Sequence, residues 1–194
     1  MLLREEILDA ARELFLKHGY ENVSMRKIAS KIEYSPTTIY LYFQDKSEIL
    51  KTLCDETFGK LSRTMAELEH TPGDPIATLR KVGFAYIHFG LDHPNHYQVV
   101  FMTRMEGMDT DPQDFARSAG AQTFQCLVNC VRACVESGDF RKLDVMAASQ
   151  ALWCAVHGVT SLLITKSGFP FIEQEQLIAT VVDGMIDGFR PRKK

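Results

Sequence analysis

Cysteine is scarce and unpaired in this 194-residue chain: there are five, an odd number, without CxxC spacing. A chain this long needs no disulfide staples, so a reduced, cytoplasmic setting is expected. Twelve Gly and seven Pro are too few for a fibrous or low-complexity chain. An excess of positive charge is also missing. The formal net charge is −3, which at face value argues against a nucleic-acid binder. No nucleophile–base pair, HExxH motif or Gly-rich phosphate loop is present, so an enzyme is not expected. Neither a metal nor another cofactor is expected. The start, Met1-Leu2-Leu3-Arg4-Glu5-Glu6, puts charges where the apolar core of an export signal would lie. Charged residues are absent from 145–165, about the length of a bilayer span. That run still carries Ser149, Gln150, His157, Thr160 and Ser161 and lacks a strong basic flank, so it reads as a buried interface helix and no membrane partner is expected. Alternating strand patterns are absent as well.

What is present is ordinary for a globular chain: 45% hydrophobic and 24% charged residues exclude global disorder. Leu3, Ile7, Ala10, Ala11 and Leu14 recur at helical spacing, and Gly19 supplies a stop. Breakers divide the chain at Thr71–Pro75, His93–Pro94, Gly107–Pro112, Ser137–Asp139 and Ser167–Pro170. The expected fold is all-α, with about nine helices. In the first fifty residues the helices are short, at 2–18, 25–32 and 36–42, with a long one from 46, which suits a helix-turn-helix.

The segment 24–46 carries the chemistry. Ser24 can cap a helix whose inward face is Ile28, Ala29 and Ile32. Glu33-Tyr34 form the turn. Ser35 caps the next helix, and Pro36 sits at its first position, where a missing N–H costs nothing. Ile39 and Phe43 face inward, which leaves Pro36, Thr37, Tyr40 and Tyr42 outward. A short helix with a Thr-and-Tyr face suits the major groove, because Thr can meet a base edge and Tyr hydroxyls can hold phosphate oxygens. Asp45 and Glu48 read as a helix cap with its capping-box partner. Lys46 then stands at the first helical position, where its cation opposes the helix dipole by roughly 0.3–1 kcal/mol and a docked phosphate would remove the conflict.

Residues 7–50 resemble the DNA-binding domain of the TetR family of transcriptional regulators. The resemblance runs through Ile7, Ala11, Leu14-Phe15, Gly19-Tyr20, Ser24-Met25, Ile28-Ala29, Ser35, Thr38-Ile39-Tyr40, Tyr42-Phe43, Lys46 and Ile49-Leu50. It implies an N-terminal three-helix helix-turn-helix DNA-binding domain, 1–46, and a C-terminal helical bundle for effector binding and dimerisation, 47–194. The helix 36–42 would be the recognition helix. Thr38, Tyr40, Tyr42 and Lys46 would hold phosphates, and Ser24, Arg26, Pro36 and Thr37 would be further operator contacts. Ser35 joins this operator-facing set. The family usually has Gly where this chain has Glu33. A left-handed Glu33 would cost on the order of 1 kcal/mol.

Leu152–Gly158 resembles the Trp-x-x-x-His-Gly stretch of one C-terminal subclass. Trp153 and His157 share a helix face there, as either a polar ligand anchor or a hydrogen-bonded core pair. Ligand-binding candidates are Phe84, His88, Tyr97, Phe101, Met105, Phe124, Trp153 and His157, with Phe89, Met102, Met108 and Phe115 nearby. Aromatics with Met make an adaptable apolar cavity, so a small apolar or aromatic effector is implied, with ordinary core packing as the competing account. Cys126, Cys130 and Cys134 form a stripe that reads as small hydrophobes, with a thiol sensor as the alternative. The resemblance implies a homodimer through helices near 143–166 and 173–189. The expected function is a ligand-responsive repressor on a palindromic double-stranded DNA operator. A small-molecule carrier or a small all-α enzyme without DNA binding is the alternative.

The charge distribution reconciles this reading with the acidic total. Residues 1–51 hold eight Lys/Arg and eight Asp/Glu, and within them 22–51 hold five against three, while residues 52–194 hold fourteen against seventeen. The acidity belongs to the C-terminal portion and does not exclude DNA binding.

Overall fold

A computed structural model of the protein describes residues 3–102, 118–166 and 168–191. Among the described residues there are nine α-helices and no strand. The first four are α1 (Leu3–His18), α2 (Met25–Lys31), α3 (Pro36–Tyr40) and α4 (Lys46–Glu69), with a 3-10 turn at Tyr20–Asn22. Then follow α5 (Pro75–Asp92), α6 (Pro94–Met102), α7 (Ala119–Glu136), α8 (Val145–Thr165) and α9 (Gln174–Phe189). The expected break at Gly107–Pro112 lies outside the described residues, as do Met105, Met108 and Phe115.

The chain divides into two compact units. The first comprises residues 1–59 and 93–118, the second 60–92 and 119–194. In the first unit, α1 buries Ile7, Leu8, Ala10, Ala11 and Phe15, a stripe at helical spacing. Gly19 ends the helix at a φ of 78°, its N–H bonded to the Phe15 carbonyl at 2.9 Å. Against this stripe pack Ile28 and Ala29 of α2, Ile39 of α3, Ile49 and Leu50 of α4, and Val99 of α6. Ala29 is fully buried, and its small side chain lets α2 and α3 cross closely. Tyr97 of α6 is likewise fully buried in this unit, its ring 4.6 Å from Phe101, which in turn meets Phe58 edge-on at 5.2 Å.

In the second unit α5, α7, α8 and α9 form a bundle. The crossing of α5 with α9 is tight: a Cβ added at Gly83 would lie 3.3 Å from Val182 Cγ1. Two polar pairs flank that crossing. Arg80 donates twice to Asp183, at 2.6 and 3.1 Å, and His88 Nε2 lies 3.1 Å from a Glu175 oxygen. The partners advance eight residues on each antiparallel helix, so the pairs fix the same register twice. Helix α8, at Val145–Thr165, is the one among the described residues long and apolar enough to cross a membrane. It packs against α5, α7 and α9.

The cysteine stripe lies on the buried face of α7, with Cys126, Cys130 and Cys134 all buried. Burial pushes their thiols up to about 11, 12 and 12 respectively, with nearby carboxylates adding to the effect: Glu69 for Cys126 and Cys130, Asp139 and Asp74 for Cys134. Burial, with Asp55 adding, does the same to Cys54, at about 12. A thiol with such a pKa is almost wholly protonated at neutral pH and a poor nucleophile. In a thiol titration at pH 8, at most one of the five cysteines of the native protein should react promptly, and all five should react once the chain is unfolded. Prompt reaction of two or more in the native state would contradict this assignment.

Candidate nucleic-acid interface

Helices α2 and α3 are each built by their caps. The Ser24 hydroxyl accepts from the Lys27 N–H at 3.3 Å, and the Ser35 hydroxyl accepts from the Thr38 N–H at 3.2 Å. Ser35 Oγ also lies 2.9 Å from Thr38 Oγ1, so one hydroxyl donates to the other between cap and first turn. Pro36 occupies the first position of α3. The helix stops at Tyr40, two residues short of the expected 42. The N–H groups of Leu41 and Tyr42 bond to the carbonyls of Thr38 and Ile39 three residues back, at 3.3 and 3.0 Å, which tightens the last turn.

The linking turn is a Schellman motif. Tyr34 N–H bonds to the Ala29 carbonyl at 3.0 Å and Glu33 N–H to the Ser30 carbonyl at 3.4 Å. This places Glu33 at the left-handed position, with a φ of 60°; among the described residues it alone is a non-glycine at positive φ. The turn geometry that normally selects Gly is therefore imposed here on Glu.

Ile39 is fully buried and Phe43 nearly so, which fixes the roll of α3. Thr37, Tyr40 and Tyr42 are consequently exposed, and Pro36 and Thr38 half-buried. Ser24, Arg26 and Ser35 are exposed on the same unit. Lys46 behaves differently. Its ammonium turns back, donating to the Tyr20 carbonyl at 3.0 Å, lying 4.1 Å from the centre of the Tyr20 ring and 3.8 Å from a Glu21 oxygen. The conflict between this cation and the start of α4 is thus relieved within the protein. Asp45 caps α4, accepting from the Ser47 hydroxyl and from the N–H groups of Ser47 and Glu48, the latter at 2.8 and 2.9 Å; these bonds, the hydroxyl's foremost, lower its pKa. Glu48 reaches back past the cap to the Gln44 N–H at 2.6 Å. Of the five basic residues between 22 and 51, Lys31 is also engaged, with Glu13 at 2.5 Å.

The ligand-binding candidates fall into three places. Tyr97 and Phe101 belong to the first unit. Phe84 and His88 lie on one face of α5, with the Arg80 guanidinium 4.4 Å from the Phe84 ring centre and Glu175 on His88. Trp153 meets Phe124, and both Trp153 and His157 meet a residue that sequence reasoning missed, Tyr86. The Trp153 indole N–H donates to Tyr86 Oη at 3.2 Å, and Tyr86 Oη lies 3.3 Å from His157 Nδ1. Phe124 meets the Trp153 ring edge-on at 5.9 Å. Tyr86 is two residues from both Phe84 and His88, on the opposite side of α5, and nothing in the local pattern set it apart. Burial lowers the His157 pKa, which favours the neutral ring, able to accept a hydrogen bond from the Tyr86 hydroxyl. His93 and His96 pack ring to ring at 5.7 Å in the first unit.

Comparison with known proteins bears on both units. The family model described as "Bacterial regulatory proteins, tetR family" matches residues 7–53, and "Tetracyclin repressor-like, C-terminal domain" matches 79–188. The helix-turn-helix transcriptional repressor AcnR of Corynebacterium diphtheriae is 33% identical over 64 residues, 33% of this chain and 34% of that protein. The helix-turn-helix transcriptional regulator YobS of Bacillus subtilis is 24% identical over 169 residues, 87% of this chain and 82% of that protein. A solved regulatory protein of the tetR family from Rhodococcus RHA1 superposes with a TM-score of 0.83 at 19% identity, covering 100% of both chains. This chain spans about a third of AcnR but most of YobS.

Two measurements test these local assignments. Replacing Glu33 by Gly relieves the left-handed strain and should stabilise the fold by up to ~1 kcal/mol in urea unfolding, whereas Glu33→Ala, which keeps the strain, should give no gain. For His157 the folded pKa is depressed, so the unfolded chain binds more protons between that value and ~6.5. Stability contributed by the neutral ring should therefore fall as pH drops below ~6.5, and His157→Gln should remove that part of the pH dependence. An unchanged slope in the variant would show that His157 does not titrate in this range.

Proposed function

Since this chain belongs to the TetR family of bacterial transcriptional regulators, we propose that it is a repressor that binds a palindromic operator as a homodimer and is released by a small apolar or aromatic effector. The observation that carries the DNA-binding part is the exposure of Thr37, Tyr40 and Tyr42 on a capped α3 whose opposite face is locked by Ile39. In this reading Thr38, Tyr40, Tyr42 and Lys46 hold phosphates, and Ser24, Arg26, Ser35, Pro36 and Thr37 complete the operator surface. The functional division runs at 46/47. The protein acts in the cytoplasm, where its DNA is.

The dimer reading rests on α8 and α9. Helix α8 carries no charge and is largely apolar, yet only 33% of its most hydrophobic window is buried, with Met146 and Leu162 exposed. Gly158, Gly184 and Gly188 lie within helices and have open space where a Cβ would stand. Each costs about 1 kcal/mol relative to Ala without serving packing inside the chain. A second copy laid across these helices would use both features. Two such copies present their α3 helices to successive major grooves about 34–36 Å apart. For the effector, the Trp153–Tyr86–His157 chain beside Phe124 supplies polar groups in an apolar setting, the usual make-up of a small-molecule site. Effector binding would favour a dimer state with the wrong spacing between its recognition helices, a coupling of roughly 1–3 kcal/mol.

Gel shifts with DNA upstream of the protein's own gene test the reading directly. A salt-sensitive, dimer-stoichiometric shift is expected, and its absence with and without candidate effectors would favour a carrier. Lys46→Ala should weaken binding to all sequences alike and lower the salt slope by roughly 0.9 per lost phosphate contact, about 2 per dimer. An unchanged slope, with folding confirmed, would remove Lys46 from the phosphate contacts.

A further inference from the structure

Leu41 is 79% exposed, more than any other large hydrophobic side chain among the described residues. A lone exposed Leu is unremarkable, but the position of this one is not. Its backbone stays right-handed helical, with φ −74° and ψ −19°, so the register of α3 continues through it although the helix proper ends at Tyr40. Leu41 therefore shares a face with Thr37, one turn earlier, which is also exposed. Both stand about 160° around the helix from the buried Ile39. They form the centre of the face that α3 presents outward, and Thr38 and Tyr40 form its flanks.

The chemistry of that centre is narrow. From Pro36 to Leu41 there is no Arg, Lys, Asn, Gln, Asp or Glu, the side chains that read guanine, adenine or cytosine edges by paired or charge-assisted hydrogen bonds. Thr37 offers one hydroxyl and one methyl; Leu41 offers methyls only. The apolar feature on the major-groove edges of the bases is the C5-methyl of thymine.

We propose that Leu41, with Thr37, reads thymine methyl groups at the core of each operator half-site, making Leu41 a specificity-determining residue. This inference rests on the regulator reading above. Contact with a methyl removes apolar surface from water on both partners, and it distinguishes thymine from cytosine and from uracil without any hydrogen bond. The tyrosines and Lys46 add affinity on every sequence, whereas the Leu41–Thr37 centre sets which sequence is preferred.

The experiment uses the full-length protein and the duplex it selects from a random library, with each thymine replaced in turn by deoxyuridine. At one or two positions per half-site, uracil should lower affinity about fourfold, the effect of one buried methyl. Leu41→Ala should weaken binding to the thymine duplex by a similar factor and lose most of the uracil sensitivity at the same positions. Lys46→Ala should weaken binding and keep that sensitivity. Because Leu41 is exposed, its variant folds as the wild type does, which urea unfolding checks. Salt-sensitive binding with no uracil effect at any position, or an undiminished effect in Leu41→Ala, overturns this inference and leaves the regulator reading standing. Absence of any salt-sensitive DNA binding overturns both.

Discussion

The burial of Ile39 is the constraint on which the rest of the N-terminal unit depends. A five-residue helix does not form in water by itself, because nucleation fixes more dihedrals than its few hydrogen bonds repay. Helix α3 exists because Ser35 caps it, Pro36 pre-sets its first turn and Ile39 is fully buried in the core cluster to which α1, α2 and α4 also contribute. Once Ile39 points inward, no rotation of α3 remains. Thr37 and Leu41 are driven to the far side, Tyr40 and Thr38 to the flanks. The exposed chemistry is thus a consequence of one apolar contact on the other side. Ala29 contributes by being small, which lets α2 come close enough to complete the enclosure.

The Schellman turn shows the same dependence from the backbone side. Two hydrogen bonds, from Tyr34 to Ala29 and from Glu33 to Ser30, hold Glu33 in a conformation that suits Gly. The strain persists because α2 and α3 are anchored on either side of it. In the second unit the equivalent organising contact is the α5–α9 crossing, where Gly83 admits Val182 and the Arg80–Asp183 and His88–Glu175 pairs set the register. That register turns Tyr86 toward Trp153 and His157 and leaves Phe84 and His88 on another face.

Much of this is legible in the sequence. The caps at Ser24, Ser35 and Asp45 and the inward Ile28, Ala29 and Ile39 follow from spacing and residue type, since each is a local contest between backbone groups and nearby side chains, whereas the left-handed Glu33 is implied only by the family resemblance. The buried cysteine stripe was also readable, as an i, i+4, i+8 pattern on an apolar helix. Two things are not. The partner of the Lys46 ammonium is the carbonyl and ring of Tyr20, twenty-six residues earlier. Tyr86 has no local signal at all.

The sequence by itself determined the all-helical class, the places where helices start, and the segment able to meet DNA. These depend on periodicity and capping, whose interactions span at most a few residues. Only the tertiary structure decided which distant side chains meet, as Trp153, Tyr86 and His157 do, and where the Lys46 ammonium goes. Those outcomes are contacts between residues far apart in the chain, and their geometry is set by how helices pack rather than by any stretch of sequence read alone.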